Sequence, residues 1–216
     1  MKNKMVGVDI FDSWAVGYDE EVRTADENNE YPFAGYSKIM SKIYDLAMAK
    51  CSARVLDVGI GTGVLSAQLY ASGNSITGID FSDEMLTIAQ NKMPKANFYQ
   101  CDFAEGLPLE ISNQSFDYII STYALHHLPD HMKAELISQL LKYLDTNGMI
   151  IIGDIGFTTR TELNNCKAKH EGNWDDDEYY FVFSELKTTL QNVCIVEYEQ
   201  ISHCGGIMIL RPFFKA

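Results

Sequence analysis

One stretch constrains this chain more than any other: Arg54-Val55-Leu56-Asp57-Val58-Gly59-Ile60-Gly61-Thr62-Gly63. A short β-branched run passes directly into three alternate glycines, and a helical pattern, Val64 to Tyr70, follows at once. A strand, a tight turn that needs positive φ, and a helix satisfy that order of residues.

The alternation continues. Strands are expected at Ser75 to Ile79, Ala96 to Cys101, Phe116 to Ser121 and Met149 to Gly153. Ser82 reads as an N-cap with Asp83 and Glu84 in the first turn, where the helix dipole favours acids. That helix runs to about Lys92 and stops before Pro94. Asp130 to Leu144 is a second helix, ended by Asn147-Gly148. Met149-Ile150-Ile151-Ile152-Gly153 is apolar throughout, as a strand buried on both faces must be. Strands alternating with helices imply an α/β fold, a parallel sheet covered on both sides. The tail differs: a helix at Ser184 to Gln191 precedes Val193 to Tyr198 and Gly206 to Leu210, too closely connected to pair other than antiparallel.

Upstream, Phe11, Trp14, Ala15 and Tyr18 carry helical spacing. A polar stretch, Thr24 to Glu30, and a turn at Pro32 follow. A second amphipathic segment, Phe33 to Ala49, has the stripe Ile39, Met40, Ile43, Leu46, Ala47. The expected organisation is a single domain over 1–216, with a helical cap (1–50) on a core (51–216).

Composition narrows the partners. The formal net charge of −13 repels phosphate backbones and anionic lipid, so neither nucleic acid nor membrane is an expected partner. The long uncharged run from Val58 to Ile79 is too rich in glycine and polar residues to span a bilayer. Met1 to Ile10 lacks the pattern of a signal peptide. Cys51, Cys101, Cys166, Cys194 and Cys204 are scattered, which fits reduced thiols in a cytoplasm.

Two nucleotide-binding turns are excluded. The dinucleotide fingerprint needs a glycine at its sixth position, which is Val64 here, and the phosphate loop needs a Gly-Lys-Ser/Thr ending. What remains, Asp57-x-Gly59-x-Gly61-x-Gly63, resembles the first motif of class I S-adenosylmethionine-dependent methyltransferases. The resemblance implies a Rossmann-like, mostly parallel seven-stranded sheet with a C-terminal antiparallel hairpin, and S-adenosylmethionine as cofactor. Its methionyl carboxylate would be the anion at the glycine turn.

Asp80, about 20 residues past the first glycine, can accept both ribose hydroxyls; the alternative is a cap for the next helix. Phe81 and Met85 would pack beside the nucleoside. In Gln100-Cys101-Asp102-Phe103 the resemblance assigns Asp102 to the adenine amino group and Phe103 to apolar contact, the alternative being a turn role for Asp102. Ser121-Thr122-Tyr123-Ala124 stands where many amine and amide methyltransferases carry Asn/Asp-Pro-Pro-Tyr. Ser121 is assigned to the cofactor, and the departure argues against exocyclic-amine and amide acceptors. Ala124-x-His126-His127-Leu128 is similar to a string in small-molecule members.

Trp14-Ala15-x-x-Tyr18-Asp19 resembles a segment that folds over the donor and places Tyr18 near its methionyl part; Phe33-Ala34-Gly35-Tyr36 would help close the lid. The whole pattern is similar to the small bacterial YrrT-like set. The implied activity is methyl transfer to a small soluble acceptor, with His127 or Tyr123 as general base where the acceptor needs one. A backbone-bonded structural role for the histidine is the alternative. The alternatives for the chain are a non-catalytic S-adenosylmethionine-binding protein and a nicotinamide-dependent oxidoreductase. No metal is expected, because the adjacent histidines 126 and 127, even with His131, lack a further ligand. Monomer and homodimer both remain open. The acidic run Asp175-Asp176-Asp177-Glu178 reads as a solvated face, with attraction of a cationic substrate as the other reading.

Overall fold

The computed structural model describes residues 18–213. The expected stripe at Phe11, Trp14 and Ala15 lies outside the described residues, as does the side chain of Tyr18, where helix α1 (Tyr18–Glu27) begins. Helix α2 is Tyr36–Ala47. The core then runs β1 (Arg54–Val58), α3 (Val64–Ala71), β2 (Ser75–Asp80), α4 (Asp83–Lys92), β3 (Asn97–Gln100), β4 (Phe116–Thr122), α5 (Asp130–Leu140) and β5 (Leu144–Phe157). Helix α6 (Arg160–Lys169), the two-residue strand β6 (Phe181–Val182), α7 (Phe183–Leu190), β7 (Cys194–Gln200) and β8 (Gly205–Pro212) complete it.

The main sheet has seven strands in the order β3-β2-β1-β4-β5-β8-β7, and β6 adds a short parallel pair with β5. Strands β1 to β5 are mutually parallel, while β8 pairs antiparallel with both β5 and β7. Strand order reverses between β1 and β4. In an open parallel sheet that reversal leaves a crevice beyond the carboxyl ends of the strands.

Both faces of the sheet are buried, and consecutive residues divide between them. Val55, Tyr118, Ile120 and Ile151 pack with Ile39 and Ile43 of α2, Leu65 and Leu69 of α3, and Leu163 of α6. Leu56, Ile119, Ile150 and Ile152 pack on the other side with Ile137 and Leu140 of α5 and Leu186 and Leu190 of α7. This is why the strands read as continuous apolar runs. Gly153 leaves room for α2 to lie on the sheet: a Cβ there would stand 2.5 Å from Ile39 and 2.6 Å from Ile43.

Three expectations are corrected. Helix α1 takes in Thr24 to Glu27, which had read as part of a polar connection. Asn147-Gly148 does not end the helix after Asp130: the helix stops at Leu140, a 3-10 turn covers Leu141–Tyr143, and Asn147-Gly148 lies within β5. The pairing of β4 with β5 shifts register between Phe116 and Tyr118, and a side chain at residue 148 would press on the Phe116 carbonyl at 3.0 Å. Helix α6 was not anticipated, although Thr159 and Glu162 form a capping box at its start.

The turn after β1 demands glycine for two different reasons. Gly59 has φ 73°, and a Cβ there would sit 2.4 Å from the Ala124 Cβ; Gly61 has φ 53° but faces open space. Gly61→Ala should therefore cost about 1–2 kcal/mol from left-handed strain alone. Gly59→Ala should cost about 1–3 kcal/mol more through overpacking. Urea denaturation of the two variants checks this; equal losses would mean that Ala124 yields.

Candidate active site

The crevice at the strand reversal holds a cavity, and its floor is the glycine turn. The Gly59 and Ile60 N–H groups both donate to the Ile79 carbonyl, at 2.9 and 3.1 Å, and Gly63 N–H donates to the Ile60 carbonyl. These bonds bind the turn to β2 and to itself. Gly61 N–H reaches the Asp80 carboxylate at 2.8 Å. Gly63 does not line the cavity; it seats α3 against Ala89 and Met93.

Asp57 ends buried beneath this turn. Ser66 Oγ donates to its Oδ2 at 2.6 Å, while Oδ1 is buried with no partner. Burial raises its pKa from the ordinary 3.8 to about 7; the Ser66 hydrogen bond opposes the shift and the nearby Asp80 charge adds to it. Asp80, at the tip of β2, also accepts from Ser82 N–H at 3.0 Å. Each of its oxygens thus takes a backbone N–H, which fixes the carboxylate at the strand tip. The N-cap of α4 is Ser82, whose Oγ accepts from Met85 N–H at 3.2 Å, so Asp80 is not the helix cap.

Phe81, Met85 and Phe103 line the same cavity. Asp102 does not: its Oδ1 accepts from Ala104 N–H at 2.9 Å, closing a turn that aims Phe103. Ser121 is also set back, with Oγ donating to the Val58 carbonyl at 2.7 Å and pinning β4 to β1. Tyr123 lines the cavity with φ 50° and a buried hydroxyl that has no partner. Burial, then the Asp154 charge, drives its pKa far above the ordinary value, so it stays a phenol able to donate. Its ring packs against Phe33 and Tyr36 at 5.5 and 5.1 Å, and these two with Met40 line the cavity from the N-terminal side.

The far wall was not foreseen. Leu125–His127 form a 3-10 turn whose N–H groups at 125 and 126 both donate to Asp154, in the last stretch of β5 before Phe157. His126 is buried, with Nδ1 2.6 Å from Asp154 Oδ1 and Nε2 3.4 Å from Glu178 Oε1. Burial alone would favour neutral His126, but the charge and hydrogen bond of Asp154, with Glu178, hold its pKa well above the usual value. His127, less buried, has Nδ1 3.8 Å from the same Glu178 oxygen. Burial, then the neighbouring His126, lowers its pKa to about 4. It is neutral at neutral pH and a weak base.

Glu178 corrects the expectation of a solvated acidic face. The segment folds inward: Tyr179 N–H donates to the His126 carbonyl at 2.7 Å, and buried Lys133 donates to the Tyr179 carbonyl. Tyr180 donates to Glu178 Oε2 at 2.6 Å, and Trp174 stacks on Tyr31. Asp175 to Asp177 stay exposed. His131 is exposed on α5, away from the cluster.

The family described as a methyltransferase domain matches residues 55–148. An uncharacterized methyltransferase of Bacillus mycoides is 38% identical over 209 residues, covering 92% of this chain and 94% of that protein. The chain therefore belongs to the class I methyltransferase family, whose methyl donor is S-adenosylmethionine. Among solved structures, DhpI in complex with SAH superposes with a TM-score of 0.70 at 17% identity, covering 95% of this chain and 94% of that one. The magnesium protoporphyrin IX methyltransferase of Synechocystis PCC 6803 gives 0.69 at 19% identity, with 94% and 98% covered. At such identities the likeness is one of fold.

Asp57 sets a pH test. Its raised pKa means that the folded protein holds a proton the unfolded chain has released between about pH 4 and 7. Its contribution to stability is complete at acid pH and is lost as pH rises through about 7. Melting temperatures of the free protein from pH 5 to 8 should fall less steeply for Asp57→Asn than for the parent. Identical slopes would remove Asp57 as the cause.

Proposed function

We propose that this chain transfers a methyl group from S-adenosylmethionine to a small soluble acceptor held in the cavity above the glycine turn. The observation that carries the reading is Asp57 Oδ1, a buried carboxylate oxygen with no partner on the wall of a cavity that also exposes Asp80. A donor that brings an ammonium group and a ribose diol fits that pair of acids.

The residues present fit the donor. Asp80, oriented by the Gly61 and Ser82 N–H groups on the cavity wall, accepts the ribose hydroxyls. Asp57 accepts from the ammonium, which favours its charged form. Phe81, Met85 and Phe103 give the nucleoside apolar walls. Asp102 supports this pocket through the turn that orients Phe103, and Ser121 through the β1–β4 seam, rather than by lining it. When bound, S-adenosylmethionine supplies a methyl group already activated by its positively charged sulfur. The protein's remaining task is to align the acceptor and exclude water, worth several kcal/mol. Phe33, Tyr36 and Tyr123 do so from one side, and the Tyr123 hydroxyl is a donor to an acceptor oxygen.

Several features support the finer reading. A cavity walled by aromatic side chains suits a small molecule, and the net charge of −13 disfavours nucleic acid. Among the described residues no helix is long and apolar enough to cross a membrane. Five unpaired cysteines accord with a reducing cytoplasm, and the shared main sheet accords with one domain.

Titration calorimetry should show S-adenosylmethionine binding and no NAD binding. Asp80→Asn, checked for folding by circular dichroism, should weaken the donor about 10- to 100-fold by spoiling one charged hydrogen-bond set. Unchanged affinity would overturn the assignment. Labelled donor incubated with fractionated metabolites should yield a labelled small product.

A further inference from the structure

We propose that His126, His127 and Glu178 form a binding site for one divalent transition-metal ion on the wall of the cavity. The three side chains offer ligand atoms that all lie within 4.8 Å of one another, and all three line the cavity that contains Asp57 and Asp80.

Adjacent histidines converge here because they use different ring nitrogens. His126 presents Nε2, 3.4 Å from Glu178 Oε1, and His127 presents Nδ1, 3.8 Å from the same oxygen. Ligands about 2.1 Å from a tetrahedral ion stand roughly 3.4 Å apart, so small side-chain adjustments suffice. Two imidazoles and one carboxylate are a donor set for zinc, iron or nickel rather than magnesium or calcium.

The supporting groups are those a metal site needs. Asp154 engages His126 Nδ1 at 2.6 Å, which aims Nε2 inward; a carboxylate behind a ligating histidine fixes its ring and raises its basicity. Tyr180 occupies Glu178 Oε2 and leaves Oε1 toward the histidines. Asp154 and Tyr180 are positioning residues in this arrangement. With three protein ligands, the remaining coordination positions open toward the cavity, as in catalytic rather than structural sites. An acceptor with an oxygen or sulfur ligand atom matches that opening. This last point rests on the methyl-transfer reading; the metal site itself does not.

The test uses the full chain without an affinity tag, expressed with zinc in the medium and freed of loose metal by gel filtration. Mass spectrometry of the metal content should find about one zinc per chain. Cobalt(II) added to metal-stripped protein should give the visible absorption bands of a low-coordinate site. His127→Ala and Glu178→Gln should each lower retained metal at least about tenfold, and Asp154→Asn should weaken cobalt binding about 10- to 100-fold. His131→Ala should retain the parent content. Circular dichroism and S-adenosylmethionine calorimetry on each variant separate loss of metal from loss of fold and of donor binding. A folded, donor-binding parent that retains no metal and gives no cobalt bands would overturn the site and leave the methyltransferase reading intact. So would variants with undiminished metal.

Discussion

Carboxylates cost free energy to take out of water, and this fold removes three of them at the carboxyl ends of β1, β2 and β5. Asp57, Asp80 and Asp154 are each buried among apolar strand ends. Such groups persist only when donors or cations meet them. Asp80 is met by the N–H groups of Gly61 and Ser82, which bind the glycine turn and the start of α4 to one strand tip. Asp154 is met by N–H groups of Leu125, His126 and Ile155 and by the His126 ring, which fixes the turn after β4. Asp57 has only Ser66. The three similar groups are thus unequally satisfied: the under-bonded Asp57 on β1 lies between Asp80 on β2 and Asp154 on β5, both held by backbone N–H groups.

Much of this was legible in the residue order. The strand–glycine–helix passage at 54–70, the N-cap Ser82 and the closing antiparallel pair follow from local rules of propensity, capping and chain reach. That Asp57 and Asp80 meet at one cavity followed from their positions at strand ends. What was missed depended on contacts between distant segments. Glu178 is separated from His126 by 52 positions, and nothing local marks it apart from its exposed acidic neighbours. The local signal for α6 did exist in Thr159-Arg160-Thr161-Glu162, a capping box in an otherwise polar segment. Asn147-Gly148 misled because a turn-forming pair also suits an irregular strand entrance, where a side chain would strike the Phe116 carbonyl.

The segment from Trp174 to Tyr180 joins Tyr31 to the histidine pair. Trp174 and Tyr180 pack with Tyr31, while Glu178 meets the two histidines. Lys133, fully buried beneath it, lies 4.4 Å over the Phe181 ring and bonds both Asp130 and the Tyr179 carbonyl. Burial pulls the Lys133 pKa down against the pull of Asp130. The segment is therefore held by backbone bonds and aromatic packing along its length, and it brings Glu178 to the cavity wall.

Strand β8 has a consequence of its own. It lies inside the sheet, between β5 and β7, and among the described residues β7 pairs with β8 alone. During synthesis β7 leaves the ribosome before β8, the strand that receives it. Until Gly205–Pro212 arrive, the nascent chain carries an open β5 flank and an orphan ribbon, both suited to pairing with the wrong neighbour. The charged alternation of β7, with Glu197 and Glu199 interleaved among its apolar residues, offers a guard for that interval.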